Sequence, residues 1–342
     1  MGWGLIGNGW AVSVLSRHIA DRRVRHAYLF TGPDAVGKRT LATQFVRALN
    51  CEKPPLPGEV CDLADPCRVC RTVSLGSFPD LHILTPEESI RVDEIRQLQS
   101  RLALAPYQGR WRIALLTDFH QATPSSANAM LKTLEEPPSQ VVLLLTSPEA
   151  ESLLPTVASR CEILPLRPVP IATIAEALRT RGVESGRAEL LASISGGRPG
   201  RAISLAEDSI SMQRREAALQ DLGDLLAMDL PDRFGYVSRL LGKGDLSEQR
   251  RRVQGILGEW LSLWRDLLYR GYGAELTARN PDHLPVMARR SKLLTPAQHH
   301  AIVNAIAEAL QVVELNANLR LTLETLLIDL PRWEGNGIGE LD

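Results

Sequence analysis

The sequence lacks any long apolar run: no stretch reaches the roughly 18 consecutive apolar residues that a transmembrane helix needs. The N-terminal stretch MGWGLIGNGW also lacks the basic and apolar regions of a secretory signal peptide. Net charge is almost absent, because 39 lysines and arginines face 40 aspartates and glutamates, a formal balance of −1. We therefore expect a cytoplasmic protein that spans no membrane and has no overall positive charge for binding nucleic acid on its own.

Cysteine is scarce, and four of the five cysteines fall within twenty residues. Cys51, Cys61, Cys67 and Cys70 are spaced as C-x9-C-x5-C-x2-C. In a cytosolic chain such clustering favours a metal over disulfides, and four thiolates can close a tetrahedral structural zinc site. Reactive or buried free thiols are the alternative. Cys161 stands far from the others, and we expect it to pack as a small apolar side chain.

Short apolar runs alternate with segments of helical spacing over the first half of the chain. Five runs predict buried strands: HAYLFTG, DLHILTP, RIALLTDF, VVLLLTSP and CEILPLRPV. Helices are predicted between them over KRTLATQFVRALN, SIRVDEIRQLQSRLALAP and SSANAMLKTLEE. This alternation is typical of a doubly wound parallel sheet, so we predict an α/β domain over residues 1–168. A short helical segment, 169–206, and an all-helical region, 207–342, follow; Trp260 and Trp264 share a helical face and are predicted to pack in its core.

The stretch FTGPDAVGKRT, at the end of the first predicted strand, contains a G-x-x-x-x-G-K phosphate-binding pattern formed by Gly32, Gly37 and Lys38. Such glycines let backbone N–H groups face a phosphate at a helix N-terminus, and the lysine reaches the β- and γ-phosphates. The next position normally supplies a hydroxyl to Mg²⁺, but here it is Arg39, whose guanidinium cannot bind a cation. Thr40 lies one residue further, which rotates a helical side chain by about 100°, so it is a poor substitute.

An ATPase also needs acidic residues at the end of a neighbouring strand, where they support Mg²⁺ and polarise the attacking water. In the run LLTDFH the only acid is Asp118. Two interpretations stay open. Asp118 is a degenerate catalytic carboxylate, or it merely caps the strand end or the following helix.

Two later segments, ANAMLKTLEEPP and LLPTVASRC, closely resemble the clamp-loader branch of the AAA+ superfamily, above all the delta′ subunits of bacterial DNA polymerase III. The segments RHAYLFTGPDAVGK, FPDLHIL and NANLRLTLETLLIDLP fit the same family in the same order, so the resemblance covers nearly the whole chain. It implies that residues 1–168 form a P-loop AAA+ module with a zinc module at 51–70. It also implies a helical lid over 169–206 and an all-α collar domain over 207–342 that joins neighbouring subunits.

The resemblance places the family's acidic Asp-Glu pair on Thr117 and Asp118. Both usual Mg²⁺ contacts are then absent, one at Arg39 and one at Thr117. This implies weak or no ATP hydrolysis and no bound Mg²⁺, and it leaves ATP or ADP binding open. Arg160 matches the arginine finger that clamp-loader subunits supply to the ATP site of a neighbour. The plain alternative is a surface arginine paired with a carboxylate.

Further positions follow from the same resemblance. Thr146 matches the family's first sensor and Arg201 its second, although Arg198 lies close enough to blur the second match. The four clustered cysteines match a zinc module that bacterial clamp-loader subunits carry in this insert. In a site without hydrolysis, the sensors are expected to be structural remnants.

The function that the resemblance implies is that of a stator subunit in DNA replication. Its partners would be the gamma/tau and delta subunits, the sliding clamp and, within the complex, primed DNA. The alternative is an ATP-hydrolysing motor subunit of the gamma/tau type or a related AAA+ ATPase, against which Arg39 and Thr117 argue. A zinc-dependent DNA-binding protein is a third reading, and the near-neutral charge gives it little support.

Overall fold

The computed structural model describes residues 3–62, 64–86, 88–242, 244–274, 277–290, 294–315 and 317–332. The chain divides into two compact units. The first comprises Met1–Gly182 and Gly197–Ala202, and the second comprises Val183–Gly196 and Ile203–Asp342. The segment 169–206 therefore contributes residues to both units, and its role as a separate lid stays a prediction.

The first unit is built on a five-stranded parallel sheet, as the alternation of strands and helices predicted. Its strands are β1 (Ala27–Thr31), β2 (Leu81–Leu84), β3 (Arg112–Leu116), β4 (Val141–Ser147) and β5 (Glu162–Pro165). Their order across the sheet is β2-β3-β4-β1-β5, and every pairing is parallel. Every residue of β1, β3 and β4 is buried, which explains why these strands appear in the sequence as continuous apolar runs.

Helices cover both faces of this sheet. They are α1 (Gly9–Ala20), α2 (Lys38–Asn50), α3 (Arg68–Ser74), α4 (Val92–Leu102), α5 (Pro124–Glu135) and α6 (Pro155–Ala158), and α7 (Ile171–Arg179) follows β5 along the chain. Alternate side chains of β1 point to opposite faces: Tyr28 and Phe30 join the core with α1, α2 and α3, while Ala27 and Leu29 join the core with α4, α5 and α6. The three predicted helices of this domain are confirmed as α2, α4 and α5.

The described residues of the second unit form helices joined by turns and loops, with no strand among them. Its helices are α8 (Ser185–Ser195), α10 (Ser209–Leu225), α11 (Leu230–Leu241), α12 (Leu246–Gly271), α13 (Leu284–Arg290), α14 (Pro296–Glu314) and α15 (Leu319–Asp329), and α9 (Pro199–Glu207) has residues in both units. Trp260 and Trp264 are fully buried in its core, as predicted, and the Trp260 indole donates to the Ala218 carbonyl at 2.7 Å.

None of the described helices is long and apolar enough to cross a membrane.

Parallel pairing brings the carboxyl ends of β1, β3 and β4 to one edge of the sheet. Thr31 lies beside Ser147 in the register, and Leu116 lies beside Leu145. The loops that follow these three strands therefore begin close together. Ligands bind at this edge in open α/β sheets, so the edge is where a site is expected.

Candidate functional site

The loop between β1 and α2 keeps the shape of a phosphate-binding loop. Gly32 has a φ of +137° and Gly37 a φ of +112°, in a region that side chains disfavour. A Cβ on Gly32 would lie 2.4 Å from the Leu166 carbonyl oxygen, so no larger residue fits there. Gly37 is the N-cap of α2, whose first N–H groups have no partner within the helix. The predicted glycine positions are thus required by the backbone.

Lys38 is buried, with 7% of its surface exposed, and its ammonium is held by the loop itself. The Nζ atom donates to the carbonyl oxygens of Gly32 at 2.5 Å and Pro33 at 3.3 Å, and it lies 3.4 Å from a carboxylate oxygen of Asp34. A phosphate in the loop would have to compete with these oxygens for the ammonium. Arg39 and Thr40 are both exposed at the start of α2.

The end of β3 brings three predicted residues together. Thr117 is buried, and its hydroxyl lies 2.9 Å from the Thr85 hydroxyl and 3.4 Å from the Leu84 carbonyl oxygen, which accepts from it. Asp118 adopts a left-handed conformation with a φ of +48°, and its backbone N–H donates to the Thr146 hydroxyl at 2.9 Å. Thr146 is buried at the end of β4. These contacts are structural, and the correspondence of Thr117 to the family's acidic position stays a prediction.

His120 was missed by the sequence analysis, yet it lies at this site. It sits in a 3₁₀ turn, Phe119–Gln121, and its Nδ1 is buried without a hydrogen-bond partner in the described part of the chain. Burial lowers the pKa of His120, Lys38 lowers it further, and Asp118 and Asp34 act against them. The imidazole is therefore close to the charged groups of the phosphate loop and is neutral near pH 7. Its position two residues after Asp118 was the only signal in the sequence.

Arg160 lies just after α6 with 35% of its side chain exposed. Its Nη2 donates to a carboxylate oxygen of Glu135 at 2.6 Å, and its Nη1 donates to the Thr156 carbonyl at 2.8 Å. The pairing that we considered as the plain alternative is therefore present. An exposed ion pair of this kind contributes only about 0–1 kcal/mol, so it does not prevent Arg160 from turning to another anion. Its role as a finger stays a prediction.

Arg201 lies near the start of α9 and is half-buried. The preceding residue, Gly200, donates its N–H to the carbonyl oxygen of Ala35 in the phosphate loop at 2.9 Å. A Cβ on Gly200 would lie 2.9 Å from the same oxygen, so glycine permits this close approach. The contact brings the backbone beside Arg201 next to the loop, whereas the sensor role of its side chain stays a prediction.

The four clustered cysteines meet in one buried group at the C-terminal end of α2 and the N-terminal end of α3. The Sγ atoms of Cys51, Cys61, Cys67 and Cys70 all lie within 4.8 Å of one another. The separation between Cys51 and Cys67 is 3.9 Å, close to the edge of about 3.8 Å in a tetrahedron with Zn–S bonds of about 2.3 Å. The residues present therefore fit a four-thiolate metal site.

Backbone N–H groups already point at two of these sulfurs. The Cys67 N–H donates to the Cys61 sulfur at 3.3 Å, and the Cys70 N–H donates to the Cys67 sulfur at 3.5 Å. Burial acts to raise the pKa of Cys67, but N–H donors from Cys70 and Glu52 outweigh it and lower the pKa to about 7. Burial raises the pKa of Cys51. Cys161 is partly buried and packs against the core around α4 and α5, as expected of a small apolar side chain.

Comparisons with known proteins show which proteins this chain is similar to. Residues 7–170 match the model of the family described as DNA polymerase III, delta subunit. The chain is 35% identical to DNA polymerase III subunit delta′ of Pseudomonas aeruginosa over 213 residues. The aligned segment covers 60% of this chain and 63% of that protein. It is 30% identical to subunit tau of Bacillus subtilis, covering 60% of this chain and 37% of that protein.

A third relative extends further along the chain. Subunit gamma of Buchnera aphidicola is 29% identical over 251 residues, which cover 71% of this chain and 66% of that protein. The chain thus spans between 37% and 66% of the length of these three relatives. Their names include both the delta′ and the gamma/tau types of subunit.

Proposed function

We propose that the chain is the delta′-type stator of a DNA polymerase III clamp loader, a proposal supported by the match of residues 7–170 to the delta-subunit family and by relatives named delta′, gamma and tau. In such an assembly a ring of subunits uses ATP to open the sliding clamp and place it on primed DNA. The stator contributes little hydrolysis of its own. It presents Arg160 to the ATP site of a neighbouring gamma/tau subunit, in the cytoplasm, where replication takes place.

The observation that favours a stator subunit over a motor subunit is the loss of two Mg²⁺ contacts at the phosphate loop. Arg39 cannot coordinate a cation, and its side chain is exposed. Thr117 replaces an acid, and its hydroxyl is buried against Thr85. Two separate positions have therefore lost the ligands that hold Mg²⁺ between the β- and γ-phosphates, while the glycines that shape the loop are kept. Such a loop is suited to holding a phosphate without cleaving it.

A motor subunit of the gamma/tau type is the second candidate, because the tau and gamma relatives match the chain about as well as the delta′ relative does. The two candidates differ in one property that can be measured on the isolated chain. A motor subunit hydrolyses ATP in the presence of Mg²⁺, whereas the proposed stator does not.

The test is ATP turnover by the purified chain, compared with Lys38→Ala as the matched control. We expect both proteins to show the same background rate, because the stator has no hydrolytic activity for the lysine to support. A Mg²⁺-dependent rate that Lys38→Ala abolishes would contradict the stator proposal and favour the motor. Nucleotide affinity, measured on the same samples by equilibrium dialysis with and without Mg²⁺, shows separately whether the loop still binds ATP.

We also propose that Cys51, Cys61, Cys67 and Cys70 hold one structural zinc ion. The proximity of their sulfur atoms and the N–H donors around them support this assignment. With four protein ligands the ion has no open position, so its contribution is to order the insert between α2 and α3 and not to catalyse a reaction.

A further inference from the structure

Arg47 is a buried arginine whose charge lacks an evident counter-ion. Only 1% of its surface is exposed, and its Nη1 donates to the Gln44 side chain at 3.0 Å. The Nε and Nη2 atoms are buried and have no hydrogen-bond partner among the described residues. A buried guanidinium in this state is costly, because neither water nor a carboxylate compensates its charge. An anion next to Arg47 would offset this cost.

The cysteine cluster can supply this anion. Arg47 lies in the last turn of α2, four residues before Cys51, and α2 packs against α3, which carries Cys70. Residues four apart in a helix lie on the same face, so the Arg47 side chain and Cys51 are neighbours at the end of α2. Four neutral thiols would give Arg47 no counter-charge. Four thiolates around one Zn²⁺ carry a net charge of −2, and their sulfurs accept hydrogen bonds.

Other cations near the cluster are poorly placed for this task. Arg68 and Arg71, on α3, and Lys53, just after Cys51, are all exposed to solvent. Their charges are screened by water and contribute little to a buried site. In contrast to these three residues, Arg47 is shielded from water. Its charge therefore acts on the metal centre with little screening.

We propose that Arg47 neutralises part of the negative charge of the Cys51–Cys61–Cys67–Cys70 zinc site and donates N–H groups to its thiolates. This role rests on the proposed zinc site and goes beyond it. It makes Arg47 a positioning residue, which does not bind the metal but stabilises the metal-bound form of the ligands. Because Arg47 belongs to α2, the helix that begins at the phosphate loop, zinc binding also fixes the far end of that helix.

The test compares Arg47→Met with Arg68→Met, which removes the same charge from an exposed position in the same module. Zinc affinity is measured by competition with a chromophoric chelator, and stability by urea unfolding of the zinc-loaded and the metal-free proteins. We expect Arg47→Met to weaken zinc binding by about 10–100-fold, while Arg68→Met changes it little. Arg47→Lys, which keeps the charge but loses the planar donors, should fall between Arg47→Met and the wild type.

The unfolding data separate this role from simple packing. Arg47→Met should lower the urea midpoint of the zinc-loaded protein and leave that of the metal-free protein unchanged or higher, because it removes an uncompensated buried charge. Equal losses in both forms, or unchanged zinc affinity, would overturn the role of Arg47 while leaving the zinc site intact. A wild-type chain that takes up no zinc would overturn the zinc site itself and this role with it.

Discussion

Asp80 lies just before β2 and is fully buried, although it is a carboxylate. It accepts the backbone N–H groups of Tyr107, Gln108 and Gly109 at 2.6–2.7 Å and an N–H of Arg112 at 3.1 Å. Burial acts to raise the pKa of Asp80, but the three backbone donors and Arg112 outweigh it and hold the pKa below its usual value. The carboxylate thus fixes the loop that leads into β3, which explains the aspartate in the FPDLHIL segment.

Replacing Asp80 by Asn should destabilise the first unit by about 3–5 kcal/mol at pH 7, because the buried charge of Arg112 then loses its partner. Since the folded pKa of Asp80 is depressed, its contribution is present above about pH 4, the unfolded pKa, and is lost as the pH falls through the folded value. The difference from wild type should therefore shrink in acid. Urea unfolding at pH 7 and below pH 4 measures it, and the exposed Asp21→Asn is the control. A difference that does not change with pH would contradict this account.

Single residues were predicted unevenly from the sequence, for a physical reason. The positions of Gly32, Gly37 and Lys38 follow a local pattern that a short segment specifies by itself. Asp80 and His120 gain their environments from residues that lie far away in the sequence: the partners of Asp80 begin 27 residues later. Such burial depends on tertiary packing, so neither residue could be assigned its role before the fold was known.

In the second unit, one arginine side chain connects the ends of two helices. The guanidinium of Arg233, on α11, is buried and donates to the carbonyl of Leu225 at the end of α10 at 2.9 Å. It also donates to the carbonyls of Leu327 at 2.6 Å, Leu330 at 2.8 Å and Pro331 at 2.8 Å, around the end of α15. The last carbonyls of a helix have no partner within the helix, so one side chain satisfies two helix ends at once.

Arg233→Met should destabilise the second unit by about 3–5 kcal/mol, because it leaves several buried carbonyls without donors. Arg239→Met is the matched control, since Arg239 is exposed on the same helix and should change stability by less than about 0.5 kcal/mol. Urea unfolding followed by the fluorescence of the buried Trp260 and Trp264 reports on this unit. Equal stability of the two variants would show that the carbonyls find other donors.

Elements were predicted best where burial is complete. The apolar runs identified all five strands. The central strands β1, β3 and β4 bury every residue, as a parallel sheet covered on both faces requires, whereas β2 and β5 are only partly buried. The helices α1 and α3 were not predicted. The N-cap of α1, Asn8, is in a left-handed conformation and makes no side-chain cap bond. Helix α3 is only seven residues long and lies within the cysteine insert.

At the scale of the whole molecule, the first unit combines a phosphate loop in which Arg39 follows Lys38 with Arg160, whose side chain is 35% exposed. Lys38 is held by the carbonyls of its own loop, whereas the described hydrogen bonds of Arg160 go to the surface residue Glu135 and to a backbone carbonyl. A chain of this kind is suited to act on the ATP of another subunit. The sequence pattern predicted this division of roles, but the pairing with Glu135 emerged only from the structure.

That pairing allows a sharp test of Arg160 in the reconstituted clamp loader. An arginine supplied in trans raises the rate of ATP hydrolysis at the neighbouring site by about 10³-fold or more. Arg160→Ala should therefore abolish the share of ATP turnover that comes from that site. Glu135→Ala frees Arg160 from its surface partner and should leave turnover unchanged or raise it. Size-exclusion chromatography should show that both variants still assemble. If Arg160 served only to pair with Glu135, the two variants would behave alike, and normal turnover with Arg160→Ala would rule out the finger.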